Sequence, residues 1–149
     1  MTVLVPTMGS LHRGHQALIK RARTVSKEVI VSIFVNPLQF ENKDDLEKYP
    51  RSPQLDIELA TLAGATEVWF PEYEDIYPGE ITTLSAGRIG SLYEGASRPA
   101  HFDGVVTVVN RLFEMVKPTH AVFGEKDFQQ LFLIKNISKK VEIISVPTV

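Results

Sequence analysis

Residues 2–15, TVLVPTMGSLHRGH, decide how this chain is expected to fold. The apolar run Val3 to Val5 predicts a strand, the Pro-Thr-Met-Gly segment predicts a turn, and a helix is expected to begin within His-x-Gly-His. Where a strand runs through a turn into a helix, unpaired backbone N–H groups and the positive end of the helix dipole favour an anion. The stretch therefore predicts an anion-binding site.

Two histidines, His12 and His15, stand three residues apart in this stretch. Residues with that spacing share a face of a helix. Imidazoles donate hydrogen bonds to phosphate oxygens and stabilise negative charge that develops on a phosphate. Gly14 between them removes a side chain where a phosphate would approach closely. The alternative interpretation, two solvated histidines near a helix start, is disfavoured by the strand and turn that precede them.

Length and composition limit the classes of protein to consider. A chain of 149 residues is typical of one domain with a sizeable core, and its net charge of −2 gives no electrostatic reason to expect nucleic acid or an anionic membrane as a partner. The absence of cysteine excludes disulfides and thiolate metal sites. No apolar run approaches the roughly 18 residues of a membrane span. We therefore expect a soluble cytoplasmic protein.

Helices and strands are predicted to alternate along the chain. A helix over 11–26 is followed by an apolar, β-branched strand over 29–35, which makes a βαβ unit with a parallel sheet. The remaining predicted strands cover 67–70, 81–89 (weakly), 120–124 and 141–146, and the remaining predicted helices cover 55–62, 105–116 and 125–137. The expected fold class is α/β, a Rossmann-like parallel sheet flanked by helices.

Polar residues follow the second predicted strand, at the sheet edge where open α/β folds bind ligands. Asn36 and Gln39 are uncharged donor and acceptor groups suited to hydroxyls and carboxylates, although they could be turn residues only. The charged residues 41–46 are expected to form an irregular loop. Residues 92–102 also predict a loop, which holds Arg98 and His101 three apart, and loops of this kind often carry binding groups.

A second strand passes through a glycine into a predicted helix start in GEKDFQQ, residues 124–130. Lys126 would bring a flexible positive charge to a phosphate, and Asp127 and Gln130 would share a helix face. A capped surface helix is the alternative. The segment repeats the design of the first site at the same sheet edge, which favours a second phosphate-binding segment.

Seven segments occur in a fixed order along the chain: PTMG (6–9), HRGH (12–15), FVNPLQF (34–40), YPR (49–51), EGASRPAHF (94–102), GEKDFQQ (124–130) and VPTV (146–149). Together they closely resemble the pantothenate synthetase family, the pantoate–β-alanine ligases, over nearly the whole chain. The resemblance implies a nucleotidyltransferase fold of the HxGH type and a homodimer. It also implies that residues 1–149 form an ATP- and pantoate-binding domain, and that the family's C-terminal domain with its Ser-Ser-Arg-Asn phosphate clamp lies outside this chain.

The activity implied by this resemblance is an ATP-dependent condensation of (R)-pantoate with β-alanine, as in coenzyme A biosynthesis. The pantoate carboxylate attacks the α-phosphorus of ATP to give pantoyl adenylate and pyrophosphate, and the amine of β-alanine then displaces AMP. The implied partners are ATP with the Mg²⁺ that it carries, pantoate and β-alanine, and no residue is assigned as a metal ligand. The alternatives are a nucleotidyltransferase acting on a phosphorylated acceptor and a nucleotide-binding domain without catalysis.

The resemblance also implies roles for individual residues. His15 would be the catalytic proton donor, with His12 and Lys126 on the phosphates. The residues implied to bind ATP are Met8, Gly9, Ser10, Leu11, His12, Arg13, Gly14, His15, Gly124, Glu125, Lys126, Asp127 and Val149. Gln39 and Gln130 would bind pantoate, with Gln39 also next to β-alanine. Further candidates for substrate binding are Asn36, Arg98 and His101.

Overall fold

A parallel sheet forms the centre of the molecule. The computed structural model describes residues 1–40, 42–79, 101–125, 134 and 140–147, and the strands within them are β1 (Thr2–Thr7), β2 (Glu28–Ile33), β3 (Glu67–Trp69), β4 (His120–Gly124) and β5 (Glu142–Val146). Their order across the sheet is β3-β2-β1-β4-β5, and each neighbouring pair is parallel. The predicted α/β class is therefore confirmed, while the weakly predicted strand over 81–89 lies outside the described residues.

Helices connect these strands and pack on both faces of the sheet. They are α1 (Arg13–Val25), a 3-10 turn (Pro37–Gln39), α2 (Lys43–Lys48), α3 (Pro53–Ala63), α4 (Tyr73–Ile76) and α5 (His101–Val116). Within the described part of the chain, no helix is long and apolar enough to cross a membrane. Of the predicted helix over 125–137, the structure describes only Glu125, which lies in a turn, and Ile134, which is helical and buried.

Two sequence-based expectations about irregular segments are wrong. The sequence predicts a loop over residues 41–46, but α2 occupies most of this segment because Asn42 caps it, accepting the N–H of Asp45 at 3.0 Å. Acidic residues in its first turn complement the helix dipole. The sequence also predicts a loop at His101, which is instead the first residue of α5.

The core has two halves, one on each face of the sheet. Successive side chains of a strand point to opposite faces, so Val3 and Val5 of β1 join the cluster under α1 and α3, while Leu4 joins the cluster under α5. All three are fully buried. Each buried aliphatic side chain of this size contributes about 1.5–3 kcal/mol. Burial on both faces explains why β1 and β2 read as nearly continuous apolar runs.

Helix α5 confirms the predicted helix over 105–116, although its Val-Val-Thr-Val-Val sequence has strand propensity. Val105, Val108 and Val109 are buried in the core cluster that includes Leu4 of β1, and this packing outweighs the propensity. Gly104 brings the start of α5 into contact with the 3-10 turn. A Cβ at Gly104 would lie 2.5 Å from the carbonyl oxygen of Leu38, so only a glycine permits the approach.

The strand order changes direction between β1 and β4. The chain runs from β1 to β2 and β3 on one side, and β4 and β5 lie on the other. The crevice at such a switch point, at the carboxyl ends of the strands, is where open α/β sheets bind ligands. Here that edge is formed by Thr7 at the end of β1 and Gly124 at the end of β4.

Candidate functional site

The turn over residues 7–12 carries the chain from β1 to α1. Gly9 and Ser10 have φ angles of +83° and +51°, a region that glycine adopts freely and that costs other residues about 1–2 kcal/mol. The N–H of Gly9 donates to Oγ1 of Thr7 at 3.2 Å, and this hydroxyl donates to the carbonyl of Ser32 in β2 at 3.0 Å. The turn is thus fixed to the sheet.

Two histidines cap α1 reciprocally, in an arrangement usually made by Ser or Thr with Glu. His12 is the N-cap, and its Nδ1 accepts the N–H of Gly14 at 2.9 Å. Nδ1 of His15 accepts the N–H of His12 at 3.1 Å. The two ring centroids are 4.2 Å apart. The predicted pairing of the histidines is present, although His12 precedes the helix instead of lying within its first turn.

The capping bonds decide which nitrogen of each ring can donate. Because Nδ1 of His12 and Nδ1 of His15 both accept backbone hydrogen bonds, each neutral ring must carry its proton on Nε2. Nε2–H is then the donor of each imidazole. A donor of this kind is what an oxygen of a phosphate group requires.

Gly14 lies against the ring of His12. A Cβ at this position would lie 2.8 Å from Cε1 and 3.1 Å from Nδ1 of His12. The glycine therefore makes room for the His12 ring over the first turn of α1. The close approach of a phosphate at Gly14 stays a prediction.

The backbone N–H groups of the turn already donate to side chains of the protein. These groups belong to Gly9, Ser10, Leu11, His12 and Gly14. The expectation that unpaired N–H groups here would bind an anion is wrong for these five residues. The imidazoles of His12 and His15 also carry N–H donors at this end of α1.

A buried carboxylate that the sequence analysis missed holds this turn from α3. Asp56 is 2% exposed; its Oδ2 accepts the N–H of Ser10 at 3.1 Å and its Oδ1 accepts that of Leu11 at 2.9 Å. A signal was present in the sequence, because Asp56 shares the buried stripe of α3 with Ala60 and Ala63. An acid within an apolar stripe indicates a partner inside the protein.

The 3-10 turn after β2 places Asn36 behind Gln39. Asn36 is fully buried, and its Nδ2 donates to Oε1 of Gln39 and to the carbonyl of Gly104, each at 3.0 Å. Its Oδ1 accepts the hydroxyl of Tyr77 at 2.9 Å and the N–H of Leu38 at 3.3 Å. Asn36 thus lies in the core, and its Nδ2 donor orients the Gln39 amide so that Oε1 faces Asn36.

The other residues of this turn that are predicted to bind ATP differ from one another in burial and in contacts. Met8 is half-buried, and Arg13 is exposed at the start of α1. Leu11 is 7% exposed and belongs to the core under α1. Ser10 donates through its hydroxyl to the carbonyl of Pro50 at 3.1 Å. The turn is therefore held by the segment before α3 as well as by the sheet.

The second predicted phosphate segment begins at the end of β4. The N–H of Glu125 donates to the carbonyl of Val146 at 2.8 Å, and its Oε1 accepts the hydroxyl of Ser145 at 3.0 Å. These bonds fix Glu125, next to Gly124, to the end of β5. The predicted site residues outside the described part of the chain are Arg98, Lys126, Asp127, Gln130 and Val149; for His101 only the backbone is described.

A cavity of about 330 Å³ lies beside the turn, on the side of β2 and β3. Its lining includes Met8, Gly9, Ile33, Asp56 and Tyr73. It thus contains two of the residues predicted to bind ATP. Among the residues that the structure describes, no group of three or more His, Asp or Glu side chains is placed to hold a metal ion.

The sequence of this chain is similar to that of a known protein family. The model of the family described as pantoate-beta-alanine ligase matches residues 1–149. The pantothenate synthetase of Rhizorhabdus wittichii is 51% identical over 150 residues, which cover 97% of this chain and 53% of that protein. That of Nocardia farcinica is 49% identical, covering 98% of this chain and 48% of that protein. The chain thus spans about half the length of these relatives.

Solved structures agree with the family match. A pantothenate synthetase from Thermus thermophilus superposes with a TM-score of 0.93 at 46% identity, covering 99% of this chain and 56% of that one. A pantoate-beta-alanine ligase from Francisella tularensis, described as complexed with beta-gamma ATP and beta-alanine, superposes with a TM-score of 0.94 at 43% identity and covers 99% of this chain and 59% of that one.

Proposed function

The chain belongs to the pantoate–β-alanine ligase family, and from that premise we propose that it forms the ATP- and pantoate-binding part of an AMP-forming ligase. The observation that carries the proposal is the reciprocal capping by His12 and His15. It directs the Nδ1 atoms to the backbone and leaves the donor role of both neutral rings to Nε2. Two such donors at the sheet edge suit a triphosphate.

His15 is proposed to stabilise the charge that develops on the phosphates, by donating a hydrogen bond from Nε2, with His12 beside it. Preorganised donors act in this way because they need no reorganisation when charge develops. The backbone bonds to the two Nδ1 atoms supply the preorganisation, since a ring held at one nitrogen keeps its orientation. Lys126 is proposed to contact the phosphates from the end of β4, together with the backbone of Gly124 to Asp127.

Gln39 and Gln130 are proposed to bind pantoate through neutral amides. A hydroxy acid offers hydroxyl and carboxylate oxygens, which amide N–H groups can bind, and the amide oxygen can accept the hydroxyls. Asn36 supports this role from within the core, because its bond to Oε1 of Gln39 orients that amide. Arg98 and His101 remain proposed contacts of the substrates.

The proposed reaction has two steps. A pantoate carboxylate oxygen forms a bond to the α-phosphorus of ATP as the bond to pyrophosphate breaks, which gives pantoyl adenylate. The amine of β-alanine then forms the amide bond at the acyl carbon as the bond to AMP breaks, and the amine loses a proton. Mg²⁺ is proposed to arrive on the phosphates of ATP. A cytoplasmic homodimer is proposed from the family resemblance alone.

The test is an assay for AMP and pyrophosphate with ATP and pantoate, with and without β-alanine, on this chain and on one extended to the length of its relatives. Calorimetry with ATP on the shorter chain measures the binding step by itself. We expect ATP binding by both chains and pantoate-dependent pyrophosphate release by the longer one. Release that requires a phosphorylated acceptor would favour a nucleotidyltransferase. Binding without release by either chain would favour a nucleotide-binding domain without catalysis.

A further inference from the structure

The strongest unassigned feature is the carboxylate of Asp56 beneath the turn that leads to the histidines. Its two oxygens accept the N–H groups of two consecutive residues, Ser10 and Leu11, at 3.1 and 2.9 Å. The side chain is 2% exposed. A carboxylate so deeply buried costs free energy unless its oxygens are hydrogen-bonded, so its presence at this position requires these two bonds.

The backbone of the turn needs such an acceptor. Ser10 is held at a φ of +51°, directly after Gly9 at +83°. A residue other than glycine persists at a positive φ only where the surroundings determine it, and here that residue is Ser10. Asp56 fixes this conformation of the turn, because its oxygens accept the N–H groups of Ser10 and of Leu11, the residue that follows.

Gly9 permits the carboxylate to come this close. A Cβ at Gly9 would lie 3.0 Å from Oδ2 of Asp56 and 3.2 Å from Cγ2 of Ile33. Asp56 itself lies in the first turn of α3, where the helix dipole favours a negative charge. Gly9 in the turn and the first turn of α3 therefore both favour the contact between the turn and the Asp56 carboxylate.

We infer that Asp56 is a positioning residue for the proposed nucleotide site: its carboxylate fills the backbone anion site of the turn, so that phosphates bind at the histidine Nε2 atoms instead. Leu11, whose N–H donates to Asp56, is followed directly by His12, the N-cap of α1. The carboxylate therefore also sets where α1 begins. This inference rests on the proposed function, since the phosphates that it concerns are those of ATP. Asp56 does not touch the nucleotide in this scheme; it acts through the turn.

The variant Asp56→Asn tests the inference, and Ser52→Ala is its matched control. Asn keeps the size of the side chain but turns one acceptor oxygen into a donor that faces a backbone N–H. Ser52 contacts the same carboxylate through its hydroxyl, at 3.4 Å from Oδ1, but its removal leaves both acceptor oxygens in place. Three quantities are measured on each protein: amide hydrogen exchange, the ¹⁵N signals of the imidazoles, and ATP affinity by calorimetry.

In the wild type and in Ser52→Ala, we expect slow exchange of the Ser10 and Leu11 amides and a single Nε2–H tautomer for His12 and His15. In Asp56→Asn, both amides should exchange faster, the tautomer signals should average, and ATP should bind about 10- to 100-fold more weakly, the range for a lost hydrogen bond to a charged group. Amides of the central strands should stay protected from exchange. A general loss of stability would instead speed the exchange of these amides as well.

The possible results test the positioning role of Asp56 separately from the proposed function. Equal ATP affinity and unchanged tautomers in Asp56→Asn would overturn the positioning role while the nucleotide site stands. A wild type that does not bind ATP would overturn the proposed function and this inference with it. If Asp56→Asn does not fold, the wild-type exchange decides, because unprotected Ser10 and Leu11 amides would show that the carboxylate does not hold the turn.

Discussion

Nδ1 of His15 accepts the backbone N–H of His12 at 3.1 Å, so the ring proposed to act on the nucleotide also caps its own helix. The structural role uses Nδ1 and the proposed chemical role uses Nε2. The two roles therefore depend on different atoms of one side chain, and substitutions that keep only one of these atoms can separate them.

Replacing His15 by Asn and by Ala should give the same loss of chemistry with different losses of stability. Asn places an acceptor near the position of Nδ1 and has no counterpart of Nε2, whereas Ala has neither. Both should lower the rate of adenylate formation by ~10²–10⁴, but only Ala should lower the free energy of unfolding, by about 0.5–2 kcal/mol for a lost cap. Pyrophosphate exchange and thermal unfolding measure the two effects. Near-normal adenylate formation by His15→Asn would show that Nε2 has no such role.

Replacing Gln130 or Gln39 by Ala should weaken pantoate binding selectively. Both side chains are neutral, so they are expected to orient pantoate and to contribute little to ATP affinity. The loss for pantoate should be roughly 1–3 kcal/mol, the cost of leaving buried polar groups unpaired. Separate titrations with pantoate and ATP make the comparison. An equal loss of ATP affinity would require another role for the two glutamines.

Asn36→Ala should destabilise the fold more than Tyr77→Phe does. Removal of the Asn36 amide leaves the Tyr77 hydroxyl and the Gly104 carbonyl without their partner, at about 1–3 kcal/mol for each buried group. Tyr77→Phe removes one donor while Asn36 Oδ1 still accepts the N–H of Leu38, so about 1 kcal/mol is expected. Urea unfolding of the three proteins gives the ranking. The reverse order would mean that the network does not depend on Asn36.

Stability should fall at high pH through Tyr77. Burial raises the pKa of its hydroxyl, and nearby Tyr73 raises it further. Above the ordinary tyrosine pKa of about 10, the unfolded chain ionises while the folded state keeps the proton, so the free energy of unfolding falls by up to about 1.4 kcal/mol per pH unit. This stabilisation is complete below that pH and is lost as pH rises toward the folded pKa.

Tyr77→Phe is the control for this pH dependence, since it lacks the ionising group. Burial also raises the pKa of Tyr49, which is present in both proteins, so the difference between their unfolding curves isolates Tyr77. Urea unfolding between about pH 9 and pH 11.5 covers the window. Parallel curves for the two proteins would contradict the prediction.

Gly104→Ala should be poorly tolerated and Gly124→Ala well tolerated. A Cβ at Gly104 would meet backbone atoms of Leu38 at 2.5 and 2.6 Å, whereas among the described residues the nearest atom to a Cβ at Gly124 is Cδ2 of Leu18, at 3.9 Å. Overpacking of the first kind costs about 1–3 kcal/mol. Thermal unfolding of both variants compares them. A stable Gly104→Ala protein would show that α5 can move away from the 3-10 turn.

Local pattern was enough to predict most of the strands and helices. The apolar runs that became β1 and β2 indicate strands buried on both faces, and the order of strands and helices indicates a parallel sheet. Helix α5 is predictable against the strand propensity of its valines because helical period is kept over its length. The loop expected over 41–46 is wrong because Asn42 caps a helix there, and the acidic residues that follow it complement the helix dipole.

The sequence alone also identified the family and the residues proposed for the site, because seven ordered segments are far more specific than any one motif. Only the tertiary structure decided what each described residue contacts. It showed Gly14 making room for the His12 ring, and Asn36 buried behind Gln39. The contact of Asp56 with the turn joins residues 45 and 46 positions apart. Such contacts depend on how α3 and β1 lie on the sheet, and no local pattern encodes that relation.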